Sequence, residues 1–172
     1  YAGRADQLAE KGMIKEAIAL WRTRAEACAT PLLSGRYVSW LLQGGQAEQA
    51  FALLGNAKSL TAEIHDWIQN ELAAAALHAP DSWLAKLPPD MPLVRHRAAA
   101  QAAIAAASSG DYAALNEALQ AIAFRSPYRD LRPLLRAMAL LRTDPREATA
   151  MLDRIPPGGP FDRLAAALRV AA

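Results

Sequence analysis

Glu10–Trp21 (EKGMIKEAIALW) and Gln43–Leu54 (QGGQAEQAFALL) stand thirty-three residues apart and match position by position. Gly12 falls on Gly45, Ala17 on Ala50, Ala19 on Ala52 and Leu20 on Leu53, while Glu10 and Glu16 become Gln43 and Gln49. Upstream, Leu8 falls on Leu41. An internal period of about 33 residues is the signature of stacked helical hairpins, each carrying an apolar face that only its neighbour can cover. Later stretches echo the pattern: Gly110-Asp111-Tyr112 followed by Leu115 and Ala118, and Asp144-Pro145-Arg146-Glu147-Ala148 followed by Met151 and Leu152. Residues near Ala17, Ala50, Leu115 or Ala118, and Ala148 mark the places where two helices of a hairpin approach closely.

Between these landmarks Gly, Pro and Ser clusters cut the chain into helix-length pieces, and almost no stretch alternates Val, Ile or Thr as a strand would. The fold class is therefore all-α. Helices are predicted over 2–11, 14–29, 34–43, 47–54, 62–77, 81–85, 93–107, 112–123, 127–142, 145–153 and 160–170. Gly12, Gly44 with Gly45, Gly55 and Gly110 suit the left-handed backbone that closes a helix, and Pro31, Pro80, Pro88 and Pro89 follow helices they cannot continue. Thr61, Ser126 and Asp144 place a side-chain oxygen before a first turn, with Pro127 and Pro145 at the position where a missing N–H is harmless.

Apolar faces follow helical spacing at Ile14, Ile18, Trp21, Ala25 and Cys28, at Ile64, Trp67, Ile68, Leu72 and Ala75, and at Leu131, Leu134, Leu135, Met138 and Leu141. The core is expected to be alanine-rich, with Trp21, Trp40, Trp67 and Trp83 as large anchors. The whole chain, 1–172, reads as one helical-repeat domain of about five stacked hairpins. Its irregular unit lies near 78–92, where Pro80 and the Pro88-Pro89 pair shorten the helices, and the helix at 160–170 caps the open end.

In these positions the chain resembles a divergent set of tetratricopeptide repeats. Ala5, Leu8, Gly12, Ala17, Trp21 and Pro31 occupy approximately the places of the family's small residue, Leu, turn glycine, Ala, aromatic and closing Pro. Val38, Leu41, Gly45, Ala50 and Leu54 repeat them without the proline, and Gly110-Asp111-Tyr112 is similar to the family's turn. The resemblance covers about two-thirds of the chain. It implies a right-handed α-α superhelix, a tetratricopeptide-like solenoid whose concave groove holds a peptide or partner helix. Proteins of this kind commonly serve as scaffolds in bacterial secretion, envelope or exopolysaccharide-export machinery.

Composition narrows the function. A net charge of +2 is too mild for a surface that tracks phosphates, so nucleic acid is not signalled. The single cysteine, Cys28, cannot form an internal disulfide and reads as a core residue. No apolar run reaches the roughly 18 residues that a membrane span needs. High Ala and Arg usage with little Lys points to a GC-rich bacterial genome, with the cytoplasm and periplasm both open. The chain begins at Tyr1 and not at methionine, which leaves room for a longer, even membrane-anchored, parent. No phosphate loop, Gly-x-Ser-x-Gly or His-Glu-x-x-His occurs, and His65, His78 and His96 stand far apart. A non-catalytic protein–protein interaction scaffold, with no cofactor or metal, is the expectation.

The candidate site is an arginine stripe. Arg125, Arg129, Arg132 and Arg136 are spaced four, three and four residues apart, which on one helix makes a cationic line opposite Leu131, Leu134, Leu135 and Met138. The guanidinium fork suits carboxylates and phosphates, so the stripe could clamp an acidic peptide. An anionic polymer, either polysaccharide or single-stranded nucleic acid, is the alternative. Pro133 interrupts the line and sets Arg125 and Arg129 in a preceding turn. Tyr37 and Trp40 are a second candidate, as an aromatic part of a binding groove, against their use in core packing.

Overall fold

The computed structural model describes residues 2–22, 30–56 and 60–171, and every regular element among them is a helix. In chain order these are α1 (Ala2–Glu10), α2 (Ile14–Arg22), α3 (Pro31–Gln43), α4 (Ala47–Gly55), α5 (Ala62–Ala76), α6 (Asp81–Leu84), α7 (Pro92–Arg95), α8 (Arg97–Ser109), α9 (Tyr112–Ala121), α10 (Leu131–Leu140), α11 (Pro145–Leu152) and α12 (Asp162–Ala171). Cys28, Ala25 and the end of the helix expected over 14–29 lie outside the described residues.

The hairpin turns explain the repeat. Gly12 adopts φ 77°, its N–H donates to the Ala9 carbonyl at 2.9 Å, and the Met13 N–H reaches back to Leu8 at 2.9 Å. Thirty-three residues on, Gly45 adopts φ 71°, its N–H donates to Leu42 at 3.2 Å, and the Gln46 N–H donates to Leu41 at 2.7 Å. Gly110 (φ 73°) repeats the pattern, donating to Ala107 while Asp111 donates to Ala106 at 3.0 Å. This pair of nested bonds satisfies carbonyls that the ending helix leaves without partners, and it requires a left-handed residue that only glycine adopts without cost.

Two of the glycine and proline expectations are corrected. Gly55 is the last residue of α4, without a positive φ, and Asn56 follows it with its N–H on the Ala52 carbonyl. Gly44 is the C-cap of α3 at φ −79°, and the left-handed place falls to Gly45 alone. Pro31 opens α3, with Thr30 as the N-cap, its hydroxyl accepting from the Leu33 N–H at 3.2 Å, and proline fits the first turn where no N–H is needed; the segment before it lies outside the described residues. The Thr61 and Asp144 caps are formed, accepting from Ile64 at 3.3 Å and from Glu147 at 3.0 Å.

Residue packing separates the chain into two compact units, Tyr1–Ala75 with Ala79–Pro88, and Ala76–His78 with Pro89–Ala172. The division falls in the stretch where α6 and α7 are only four residues long. In the first unit α1 packs on α2, α2 on α3, α3 on α4, and α4 on α6. Its buried residues keep the sequence period: Ala5 and Val38, Ala17 and Ala50, Ile18 and Phe51, and Trp21 and Leu54 are all buried. Burying side chains of the larger kind contributes about 1.5–3 kcal/mol each. Trp21 centres an aromatic cluster, 5.0 Å from Trp40 and 6.3 Å from Tyr37 between ring centroids. On α5 the buried face is Ile64, Ile68 and Leu72, whereas Trp67, expected as a buried anchor, is 42% exposed.

In the second unit α8 pairs with α9 and α10 with α11, α10 also packs on α8 and α9, and α12 lies against α11. Its core includes Leu93, Leu119, Ile122, Leu131, Leu134 and Leu152. The fully buried Tyr128 donates its hydroxyl to the Leu93 carbonyl at 2.6 Å. No helix among the described residues is long and apolar enough to cross a membrane.

Candidate functional site

Within the second unit, α10 organises the surface on which the arginines stand. The helix begins at Leu131, four residues later than the sequence predicts. Ser126 and Pro127 look like a cap followed by a first helical residue. Instead the Ser126 hydroxyl accepts from the Tyr128 N–H at 3.2 Å, closing a tight turn that buries the Tyr128 ring. Pro133 consequently falls in the first turn of α10, where its missing N–H breaks no helical bond. The helix is not interrupted at that point, and Arg132 and Arg136 lie one turn apart on the same face, away from Leu131, Leu134 and Leu135.

The four arginines of the stripe are thus divided. Arg125 is exposed in the α9–α10 connection. Arg129 sits in the same connection, its guanidinium donating to the Ser126 carbonyl at 3.3 Å. Arg129, Arg132 and Arg136 line one cavity of about 460 Å³, which Arg125 does not reach. Packing of α10 on α11 brings Met151 and Arg154 to the same cavity, and Phe124 completes its rim. Phe124 is 84% exposed, an unusual position for a large apolar ring.

Asp130 is the one carboxylate lining this cavity. Burial raises its pKa above the ordinary carboxylate value, with the neighbouring Arg129 pulling the other way. The guanidinium groups of Arg132, Arg136 and Arg154 make no hydrogen bond or ion pair with any described residue. Asp153, beside Arg154 in sequence, faces Arg169 at 3.7 Å instead.

A second cavity of about 390 Å³ adjoins the first, with Arg136 and Met151 common to both. Its other walls are Tyr112, Leu115 and Asn116 of α9, Ala139 and Leu140 of α10, and Thr143 beyond it. Arg132, Arg136 and Leu140 follow one another at steps of four, so a single face of α10 runs from the cationic cavity into the apolar one.

Tyr37 and Trp40 are buried in the first unit against Trp21, and their rings serve packing there. The contributions of Phe124, Met151 and Arg154 were not anticipated from sequence. Met151 is visible only as an apolar position in the second echo of the repeat, and nothing local marks Arg154 or Phe124 as neighbours of Arg132. Among the described residues no group of three His, Cys, Asp or Glu side chains is gathered as a metal site would require. Compared with known proteins, the chain finds no counterpart: no family model, no curated protein and no solved structure matches it.

Proposed function

We propose that the chain is a non-catalytic interaction module, a tetratricopeptide-like stack of helical hairpins that holds a partner protein or peptide in the groove formed by α9, α10 and α11. The observation that carries this reading is the pair of adjoining cavities on one face of α10, cationic at Arg132 and apolar at Leu140. A concave site with apolar walls and a few convergent polar groups is the usual form of a recognition surface. The hairpin turns recurring at Gly12 and Gly45, with buried positions that recur at the same interval, support the repeat reading. A scaffold role in a bacterial secretion, envelope or polymer-export assembly rests on the family resemblance alone.

The alternative occupant, an anionic polymer, draws support from the exposed Phe124 ring beside the arginines, since an aromatic face next to guanidinium groups is how single strands are stacked and neutralised. Salt separates the two. Polymer binding weakens steeply as salt rises, whereas a groove that also buries apolar surface keeps much of its affinity.

The test is in-cell photo-crosslinking from position 116, at the edge of the groove, with the chain and its Arg129→Gln/Arg132→Gln/Arg136→Gln variant compared. A protein crosslinked by the parent and lost in the triple variant, at unchanged helical content, supports the module. If every crosslinked protein is retained by the variant, the groove is not the interaction surface.

A further inference from the structure

Resting on the interaction-module reading, we infer that the groove of the second unit takes an internal acidic segment carrying an apolar anchor, whose carboxylates pair with Arg132, Arg136 and Arg154 and whose anchor enters the cavity bounded by Tyr112, Leu115 and Leu140.

Charge complementarity sets the sign of the partner. The second unit carries eleven arginines against eight carboxylates, a net +3, and three of those arginines stand at the groove with no counter-ion among the described residues. Guanidinium groups so placed favour carboxylates, which they bind in a fork of two parallel hydrogen bonds, and they repel a basic segment. Asp130 lines the cationic cavity but forms no ion pair with Arg132, Arg136 or Arg154 among the described residues.

The apolar cavity selects against a uniform polyanion. A polysaccharide or nucleic acid presents charge at every repeat, and tracking it takes a long basic surface, whereas Arg132, Arg136 and Arg154 at this groove offer only a few contacts. Half of this groove would remain uncovered by such a ligand. A peptide can match both halves, because successive side chains differ.

Helix geometry fixes the register. Arg136 and Leu140 are four residues apart on α10, a rise of about 6 Å. An extended peptide advances about 3.3 Å per residue, so an acidic residue and an apolar one two positions away would face the two cavities together. Tyr112, more than half exposed at the mouth of the apolar cavity, becomes covered when the anchor is seated.

The experiment is selection of twelve-residue peptides from a degenerate pool, acetylated and amidated at their ends so that no terminal carboxylate contributes. The intact chain is the bait, with a twenty-nucleotide oligo-dT and polygalacturonate run in parallel. The expected result is enrichment of Asp or Glu two positions from Leu, Met or Phe. The best such peptide should bind at least tenfold more weakly when its carboxylates become amides, when its anchor becomes Ser, or when the bait carries Arg132→Gln/Arg136→Gln. Tyr112→Ser, a change at an exposed position, should weaken it without altering the circular dichroism spectrum. Enrichment of neutral or basic peptides, or equal binding after the anchor is replaced, overturns the acidic-anchor inference while leaving a peptide-binding module in place. If oligo-dT or polygalacturonate binds and no peptide is enriched, both the inference and the module reading fall.

Discussion

The indole of Trp67 on α5 lies across Gly35 on α3, so closely that a β-carbon on Gly35 would stand 2.5 Å from the indole Nε1. Glycine in mid-helix costs roughly 1 kcal/mol relative to alanine, and here the close approach of Trp67 accounts for it. Trp67 is held against α3 even though its outer face is exposed.

Gly35→Ala should therefore destabilise the chain by overpacking, typically about 1–3 kcal/mol, which outweighs the gain in helix propensity. In a Trp67→Ala background the same substitution should instead stabilise by about 1 kcal/mol. Denaturant unfolding of the parent, both single variants and the double variant reads the coupling. An effect of the same sign in both backgrounds would show that the two residues do not touch.

Ala17 and Ala50, one period apart, are both fully buried, while Ala19 and Ala52, also one period apart, are exposed. Ala17→Leu and Ala50→Leu should each lower the unfolding free energy by about 1–3 kcal/mol, because the helices at these points have no room for three more carbons. Ala19→Leu and Ala52→Leu should stay within about 0.5 kcal/mol of the parent. Thermal melts of the four variants check the pattern, and four equal melting temperatures would refute it.

How much of this was legible in sequence follows from the range of each interaction. The turns at Gly12, Gly45 and Gly110 are local devices, closed by bonds within six residues, and their glycines announce them. Gly158, also at positive φ, was missed because it sits in a Pro- and Gly-rich loop outside the repeat register. Ser126-Pro127 misled because a serine before a proline serves a tight turn as well as a helix start, and the choice was made by burial of Tyr128, whose hydroxyl partner lies thirty-five residues away. Of the arginine stripe, Arg132 and Arg136 share a helix, a spacing that one segment encodes. Arg154 and Met151 reach the groove only through the packing of α11 on α10, and no spacing within one segment encodes that.

The three left-handed turn glycines offer a cleaner measurement than the core, since a β-carbon at Gly12, Gly45 or Gly110 would meet nothing within 4 Å. Any loss on substitution by alanine is thus backbone strain alone, about 1–2 kcal/mol at each site. Gly12→Ala and Gly45→Ala should lower stability by the same amount, because the two turns share one hydrogen-bond pattern. Substitution by Asn, which tolerates the left-handed region better, should recover part of the loss at both. Unequal losses, or no recovery with Asn, would mean that the two turns are not equivalent.

The pH response should carry the mark of His96, at the junction of α7 and α8. Its Nδ1 is buried without a hydrogen-bond partner among the described residues. Burial first, and the adjacent Arg95 charge second, hold its pKa below the ordinary histidine value of 6.5. The native ring stays neutral where the unfolded chain already takes up a proton, so the unfolded state binds more protons and stability falls as pH falls. The loss begins near the unfolded value of 6.5 and is complete below the depressed native pKa. Glu71 and Asp130, whose pKa values burial raises, act in the opposite sense: the native state gains relative stability as pH falls toward their values. A difference between two chains sharing those carboxylates isolates the histidine. The melting temperature of the parent relative to a His96→Asn variant should be higher at pH 7.5 than at pH 5.5, because only the parent bears the cost of protonation. A parent-minus-variant difference that does not change between the two pH values would show that His96 titrates alike in the folded and unfolded chains.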